Sequence, residues 1–143
     1  MPFPQQGVAK NGQPLHYAVG AVIEREGKFL LIDRAITPYG FAGIAGHVDE
    51  KELPEEALCR EVQEEAGVTV EKYKLLLEKE IDGVTCSRGI GVHYWYIYSC
   101  TISGTITTNT REVKSFGWFT PQEIKKLPLE PSFAYLLKAI RII

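Results

Sequence analysis

The sequence predicts a single α/β domain in which helices flank a mixed β-sheet. The 143 residues suffice for one domain with a sizeable core, and 45% hydrophobic with 24% charged residues is ordinary globular composition. Segments rich in aromatic and β-branched residues occur on both sides of one amphipathic helical pattern. Strands and helices follow one another without regular β-α-β alternation, which favours an α/β sandwich around a mixed sheet.

The chain is divided into a short arm and one domain. Residues 1–14 are predicted to be an extended N-terminal arm, because three prolines and two glycines interrupt any period. Residues 15–143 are predicted to form the single domain, without an internal repeat or a linker. The polar, proline-rich start is unlike a signal peptide or a membrane helix, so neither is expected.

The first elements after the arm are predicted strands. Residues 17–24 and 28–32 are apolar and rich in branched side chains, and Glu26 and Gly27 between them suit the turn of a β-hairpin. A loop follows. Residues 41–45 are then predicted to form one short strand that leads to the central part of the chain.

A helix is predicted over residues 53–66. Pro54 suits its first turn, where a missing N–H has no partner to lose, and Gly67 suits the left-handed position just past its end. Leu58 and Val62 lie one turn apart and give the helix an apolar edge to bury.

The second half of the chain is predicted to contain three strands followed by two helices. A turn is expected near Ser103-Gly104, which would make a hairpin of the last two strands. In chain order, these elements are an interrupted strand over residues 68–81, the strongest strand over residues 90–100, a last strand over residues 112–119, a short helix from residue 121 and an amphipathic helix over residues 132–140.

Three glutamates crowd one face of the predicted helix. Glu61, Glu64 and Glu65 stand at positions i, i+3 and i+4, so their side chains emerge together. Like charges at these spacings cost a helix about 0.2–0.5 kcal/mol per pair, which folding alone does not favour. Carboxylates are the ligands that Mg²⁺ or Mn²⁺ prefers, so the pattern predicts a metal site. The alternative is a solvated helix face whose acids pair with Arg60.

Residues 46–68, GHVDEKELPEEALCREVQEEAGV, resemble the Nudix box, G-x5-E-x7-R-E-U-x-E-E-x-G-U, in which U is a bulky aliphatic residue. The match covers every fixed position, namely Gly46, Glu52, Arg60, Glu61, Val62, Glu64, Glu65, Gly67 and Val68. The resemblance implies a Nudix-type α/β/α sandwich and a Mg²⁺-dependent hydrolase that splits a diphosphate linkage. The expected substrate is a nucleoside di- or triphosphate or a related small pyrophosphate.

The resemblance also implies roles for individual residues. Arg60 and Glu52 would form an ion pair that holds the loop against the helix and orients the ligands. Glu61 is the candidate general base within the box. The implied metal ligands are the side chains of Glu61, Glu64 and Glu65 and the backbone carbonyl of Ala45.

Outside the box, Glu112 is a further candidate ligand. Some Nudix proteins supply an acid six residues before a tryptophan, which here is Trp118. The alternative is a solvated loop acid beside Arg111 and Lys114. Substrate contacts are predicted from basic and aromatic side chains near the box, which could bind phosphate or stack on a base. These candidates are Arg34, Tyr39, Phe41 and His47.

The net charge limits the class of partner, and the cysteine content indicates the cellular compartment. The formal net charge of −2 provides no basic field for nucleic acid, so a small diphosphate is the expected partner and neither nucleic acid nor a membrane is expected. Cys59, Cys86 and Cys100 are an odd number without metal-ligand spacing, which favours reduced thiols in a cytoplasm. Nudix proteins often dimerise, so a homodimer is also considered, although no sequence patch specifies its interface.

Two alternative functions stay open on the same scaffold. One is a Nudix-fold sensor that binds a nucleotide without hydrolysing it. Such proteins commonly lose acids of the box, and this sequence has lost none. The other is isomerisation of an isoprenoid diphosphate, which would need an additional catalytic cysteine and acid. Cys59, within the box helix, is poorly placed for that role.

Overall fold

A computed structural model describes residues 3–143, which form eight strands and three helices. The strands are β1 (Gln6–Val8), β2 (Pro14–Arg25), β3 (Lys28–Arg34), β4 (Gly40–Ala42), β5 (Ile44–His47), β6 (Thr69–Asp82), β7 (Val92–Ser103) and β8 (Val113–Phe119). The helices are α1 (Pro54–Ala66), α2 (Pro121–Ile124) and α3 (Pro131–Ala139). None of the helices in this described range is both long and apolar enough to span a membrane.

Strand β2 is the centre of the sheet. It pairs in parallel with β7 and antiparallel with β1, β3 and β5, while β6 extends the sheet beyond β7 and both β4 and β8 pair with β3. Parallel and antiparallel pairs therefore coexist, which confirms the predicted mixed sheet. The predicted hairpin is also confirmed, because β2 and β3 meet through Arg25 and Lys28, and the turn residues Glu26 and Gly27 have positive φ angles.

The two faces of β2 are covered by different helices. Val19, Ala21 and Ile23 belong to one apolar cluster with Leu58 and Val62 of α1. Ala18 and Val22 point to the opposite face, because side chains alternate along a strand, and they pack in a second cluster with residues of α3. Burial on both faces explains why this strand is almost continuously apolar. The result is the predicted α/β sandwich.

Helix α1 begins and ends within one residue of its predicted limits. Leu53 is the N-cap and has no side-chain oxygen to cap the helix, but the Glu56 carboxylate accepts a hydrogen bond from the Leu53 N–H at 2.9 Å. At the other end Gly67 has φ 66°, a left-handed conformation that glycine adopts without strain, and its N–H donates to the Gln63 carbonyl at 2.9 Å.

Three predicted details are wrong. Residues 41–45 are two strands, because the chain leaves β3 after Ala42 and joins β2 at Ile44; Gly43 lies between them, too close to the Ala21 carbonyl to accept a Cβ. Strand β6 is continuous, and two register shifts absorb the apparent interruption. The hairpin expected near Ser103-Gly104 does not form, because β8 crosses over to pair with β3.

The described part of the N-terminal segment packs against the domain. Residues 1 and 2 lie outside the described residues. Strand β1 pairs with the start of β2, where Gln6 faces His16, and the Gln5 N–H donates to the Val48 carbonyl at 2.7 Å. These contacts bring residues 5–8 beside the loop that precedes α1.

Candidate functional site

The acidic face of α1 opens into a cavity of about 450 Å³. The end of β5, the loop after β3 and the segment before β8 complete its walls. Six of the described residues that line it are acidic. Asp49 and Glu130 are two of them, and the other four are those with a predicted metal-binding role, Glu61, Glu64, Glu65 and Glu112. Ala45 and Gly46 of β5 line the same wall. The structure thus brings together all the side chains for which a metal-binding role was predicted.

Gly46 makes room for Glu61. A Cβ at residue 46 would overlap the Glu61 carboxylate, so any side chain at this position would push the carboxylate away. Burial raises the pKa of Glu61 to about 7, the nearby Arg60 opposes that shift, and the negative charges of Glu64 and Glu112 add to it. The Glu61 carboxylate is therefore held, poorly solvated, against the backbone of β5.

Glu65 is the most buried acid of the group. Only 4% of the residue is exposed, and its Oε2 atom has no hydrogen-bond partner among the described residues. Desolvation raises its pKa well above the ordinary value, and the charges of Glu61 and Glu112 raise it further. A buried carboxylate oxygen without a partner is costly unless a cation binds it. The chemistry of these donors therefore fits a hard divalent cation.

Arg60 connects the box loop to the helix. Its guanidinium donates to both carboxylate oxygens of Glu52, at 2.8 and 3.0 Å, so the predicted ion pair is present with bidentate geometry. The same group donates to the His47 carbonyl at 2.9 Å and to Glu61 Oε1 at 2.8 Å. The hydrogen bond to Glu52 raises the pKa of Arg60 most, and Glu61 and Asp49 raise it further, against the opposing effect of burial. Arg60 thus fixes the loop and one candidate ligand together.

The four predicted substrate contacts divide into two groups. Arg34 and His47 line the cavity, and Arg34 is oriented by a hydrogen bond from its Nε to the Pro38 carbonyl at 2.7 Å. Tyr39 and Phe41 are not among the described residues that line it. Tyr39 is 62% exposed, and Phe41 packs edge-on against Phe119 with ring centroids 5.7 Å apart.

Two aromatic side chains also line the cavity. Trp95 and Phe133 line it and meet edge-on at 5.7 Å, and the Trp95 Nε1 has no hydrogen-bond partner among the described residues. The sequence pattern predicts α3 only as an amphipathic helix and gives no signal that Phe133 lines the cavity. Glu130 accepts hydrogen bonds from the N–H groups of Ser132 and Phe133, which fixes the start of α3 at this wall.

A group of three histidines and one cysteine lies beside the acidic wall. One potential ligand atom from each of His16, His47, Cys86 and His93 lies within 4.8 Å of the others. Burial lowers the pKa of His47 to about 3 and that of His93 to about 4, and neighbouring positive groups add to both shifts. Sequence analysis missed this group, because its members come from four separate parts of the chain and show no ligand spacing.

Comparisons with known proteins agree with this geometry. The NUDIX domain family matches residues 14–140. A CTP pyrophosphohydrolase from Escherichia coli strain K12 is 34% identical over 128 residues, which are 85% of this chain and 87% of that protein. A MutT-like protein from Streptomyces ambofaciens is 33% identical over 132 residues, which are 89% and 79% of the two chains. A crystal structure of a MutT NUDIX hydrolase from Burkholderia pseudomallei superposes with a TM-score of 0.76 at 27% identity, covering 87% of this chain and 96% of that one.

Proposed function

Because this chain belongs to the Nudix family, we propose that it is a Mg²⁺-dependent pyrophosphohydrolase for nucleoside triphosphates or closely related small diphosphates. As a Nudix hydrolase it acts on phosphoanhydrides. The relative that hydrolyses CTP covers most of the chain, which makes CTP and its deoxy form the first substrates to test. The observation that carries the proposal is the convergence of the four carboxylates Glu61, Glu64, Glu65 and Glu112 on one cavity, with Glu65 Oε2 buried and without a partner among the described residues.

The residues that would hold the metal are those predicted from the box. Glu61, Glu64 and Glu65 supply carboxylate oxygens, and the Ala45 carbonyl belongs to the same wall. Glu112, from the segment before β8, lines the same cavity, and its charge acts on both Glu61 and Glu65. When bound, Mg²⁺ would offset the charge of the polyphosphate and lower the pKa of a water molecule, and Mn²⁺ has similar ligand preferences.

The remaining residues bind and orient the substrate. Arg34, aimed by the loop at residues 37–38, offers a planar guanidinium to a phosphate group. Trp95, which is 8% exposed, offers an apolar contact for the nucleobase, and Phe133, which is 1% exposed, packs against its ring. The substrate would therefore lie with its phosphates towards α1 and its base towards α3.

Hydrolysis adds one water molecule across the anhydride. A nucleoside triphosphate and water give the monophosphate and pyrophosphate, and the proton lost by the attacking water passes to a carboxylate. We assign this role to Glu61, whose carboxylate is held between Arg60 and the Gly46 backbone. The formal net charge of −2 provides no basic field for nucleic acid, and the three cysteines without disulfide partners suit a cytoplasmic location.

A panel of ribo- and deoxyribonucleoside di- and triphosphates with Mg²⁺ tests this function. Phosphate and pyrophosphate release are measured beside the thermal stabilisation that each nucleotide produces. The expected result is Mg²⁺-dependent formation of a monophosphate from at least one nucleotide. Glu64→Gln is the informative variant, because the Glu64 side chain is 54% exposed and its replacement leaves the core untouched.

The outcome separates hydrolysis from nucleotide sensing. Turnover by the native protein that is lost in Glu64→Gln supports the assignment of the acids. Nucleotide-induced stabilisation without turnover across the whole panel would favour a sensor, and full activity in Glu64→Gln would remove Glu64 from the metal site.

A further inference from the structure

We propose that His16, His47, Cys86 and His93 form a second metal site, for Zn²⁺ or a similar transition-metal ion, distinct from the carboxylate site. One potential ligand atom from each of these residues lies within 4.8 Å of the others. The proposal goes beyond the pyrophosphohydrolase function and does not depend on it.

The sheet itself brings the histidines together. His16 of β2 and His93 of β7 are direct partners in the parallel pairing, so their side chains lie on the same face. His47 ends β5 opposite Ala18, two residues from His16, and therefore reaches the same face. The ring centroids are 5.0 Å apart for His16 and His47, 5.8 Å for His47 and His93, and 6.2 Å for His16 and His93.

His16 provides independent evidence for the site, because one of its buried nitrogen atoms has no partner in the described part of the chain. It is only 2% exposed, and its Nδ1 has no hydrogen-bond partner among the described residues. Its Nε2 lies 3.5 Å from the side-chain nitrogen of Gln6 in β1. A metal on Nδ1 would require the proton on Nε2, and the Gln6 amide would then accept it with its oxygen after rotation of the amide. A second side chain is thus available to orient this ligand.

The donor types select the metal. Neutral imidazoles and a thiolate suit Zn²⁺ and similar ions, whereas Mg²⁺ prefers the oxygen ligands on α1. Burial lowers the pKa of His16 and His93, which favours the neutral rings that bind a metal. Binding would release the Cys86 thiol proton to solvent and leave a thiolate, whose negative charge would offset part of the charge of the ion.

Cys86 is the one proposed ligand that does not lie on a strand. It lies in the segment between β6 and β7, where Gly89 donates to the Cys86 carbonyl at 2.9 Å and Cys86 donates to the Ile90 carbonyl at 3.0 Å. Tetrahedral bonds of about 2.0–2.3 Å place ligand atoms about 3.3–3.8 Å apart, so the group must contract slightly. Four protein ligands complete a tetrahedron, and the ion would therefore fasten this segment to the sheet at the cavity rather than bind substrate.

Metal binding to the full chain tests the proposal. Chelator-treated protein is titrated with Zn²⁺ against a chromophoric competitor, and with Co²⁺ while thiolate-to-metal charge-transfer absorption is recorded. We expect tight binding of one equivalent with a thiolate band, a rise in Tm, and at least a 100-fold loss of affinity in Cys86→Ser. Cys59→Ser, which changes an exposed cysteine on α1, is the matched control and should retain the site.

A Glu64→Gln/Glu65→Gln variant distinguishes the two metal sites, because it disables the carboxylate site alone. Retention of tight Zn²⁺ binding and the thiolate band in this variant supports the proposal. The proposal is overturned if the native chain gives no thiolate band, if Cys86→Ser binds Zn²⁺ as tightly as the native chain, or if the carboxylate variant loses the tight site. Mg²⁺-dependent hydrolysis is measured separately, so failure of either hypothesis leaves the other standing.

Discussion

The carboxylate of Glu61 lies directly against the Cα of Gly46, in space that any side chain at residue 46 would occupy. Gly46→Ala should therefore displace the carboxylate, and with it one metal ligand and the proposed base. We expect hydrolysis to fall at least about 10-fold with a raised Mg²⁺ requirement, measured as turnover against Mg²⁺ concentration.

A second glycine provides the control. An alanine Cβ at Gly91 would meet only the Thr85 Oγ1, at an ordinary 3.7 Å, so Gly91→Ala should keep native turnover. If Gly46→Ala keeps the Mg²⁺ dependence of the native protein, the close packing of Gly46 against the Glu61 carboxylate does not position that carboxylate for metal binding.

Arg60 is predicted to matter through its shape as well as its charge. Arg60→Lys keeps the positive charge but loses the fork that binds both oxygens of Glu52, and a lysine cannot reach Glu61 and the His47 carbonyl at once. We expect a loss of about 10- to 100-fold in apparent Mg²⁺ affinity, measured by activity titration. Arg141→Lys, at an exposed position near the end of the chain, should change nothing. If Arg60→Lys and Arg141→Lys have the same apparent Mg²⁺ affinity, the forked hydrogen bonding of Arg60 does not contribute to metal binding.

The Arg60–Glu52 pair also predicts a pH dependence of stability. The hydrogen bond from Arg60 lowers the pKa of Glu52 below its ordinary 4.5, so the folded state binds fewer protons than the unfolded state in this range. The contribution is complete above pH 4.5 and disappears as the pH falls through the lowered value. The free energy of unfolding of the native chain should thus exceed that of Glu52→Gln at pH 7, and the difference should shrink in acid.

Urea unfolding from pH 3 to pH 7 measures this difference. Glu50→Gln, an exposed acid in the same loop, is the control and should follow the native curve. A difference between native protein and Glu52→Gln that stays constant with pH would exclude linkage through this carboxyl group.

Sequence patterns predicted those parts of the molecule whose determinants are local. The limits of α1 follow from Pro54 and Gly67, and the hairpin between β2 and β3 follows from Glu26 and Gly27, because each signal acts within a few residues. The spacing of Glu61 and Glu65 on one helix likewise determines that they share a face. These features needed no knowledge of the rest of the fold.

The remaining features depend on which strands meet. The split of residues 41–45 arises from a change of partner between β3 and β2, and β8 pairs with β3 across the molecule, which no local turn signal encodes. The group around His16 and Cys86 has the same origin, since its members become neighbours only through the pairing of β2 with β7 and β5. Tyr39 and Phe41 are near the box in sequence, but Tyr39 is exposed and Phe41 in β4 packs against Phe119, and neither is among the described residues that line the cavity.

Glu112 should behave differently from acids on the exposed sheet. It lines the cavity and its charge raises the pKa of Glu61 and Glu65, whereas Glu78 on β6 only accepts a hydrogen bond from the Tyr94 hydroxyl at 3.1 Å. Glu112→Gln should weaken Mg²⁺ activation about 10-fold or more, while Glu78→Gln should leave it unchanged. Mg²⁺ titrations of both variants decide between a ligand and a solvated loop acid at residue 112.

The Glu65 carboxylate should destabilise the metal-free protein although Mg²⁺-dependent hydrolysis requires it. Its buried Oε2 has no partner among the described residues, and desolvation raises its pKa well above 4.5. A raised carboxyl pKa means that the folded state binds more protons, so the metal-free protein loses stability as the pH rises from 4.5 through the raised value. Glu65→Gln removes this titration. Its advantage over the native chain should therefore grow with pH in the absence of metal.

Thermal unfolding of the native protein and Glu65→Gln, with and without Mg²⁺, measures this effect on stability. In metal-free buffer at pH 8, relief of about 1 kcal/mol would raise the Tm of Glu65→Gln by about 2–4 °C. With Mg²⁺ the order should reverse, because only the native chain gains stability from a bound ion, and turnover by the variant should be at least about 100-fold lower. If Glu65→Gln is less stable than the native protein without metal, the Glu65 carboxylate is stabilised by groups of the protein itself and does not need a cation.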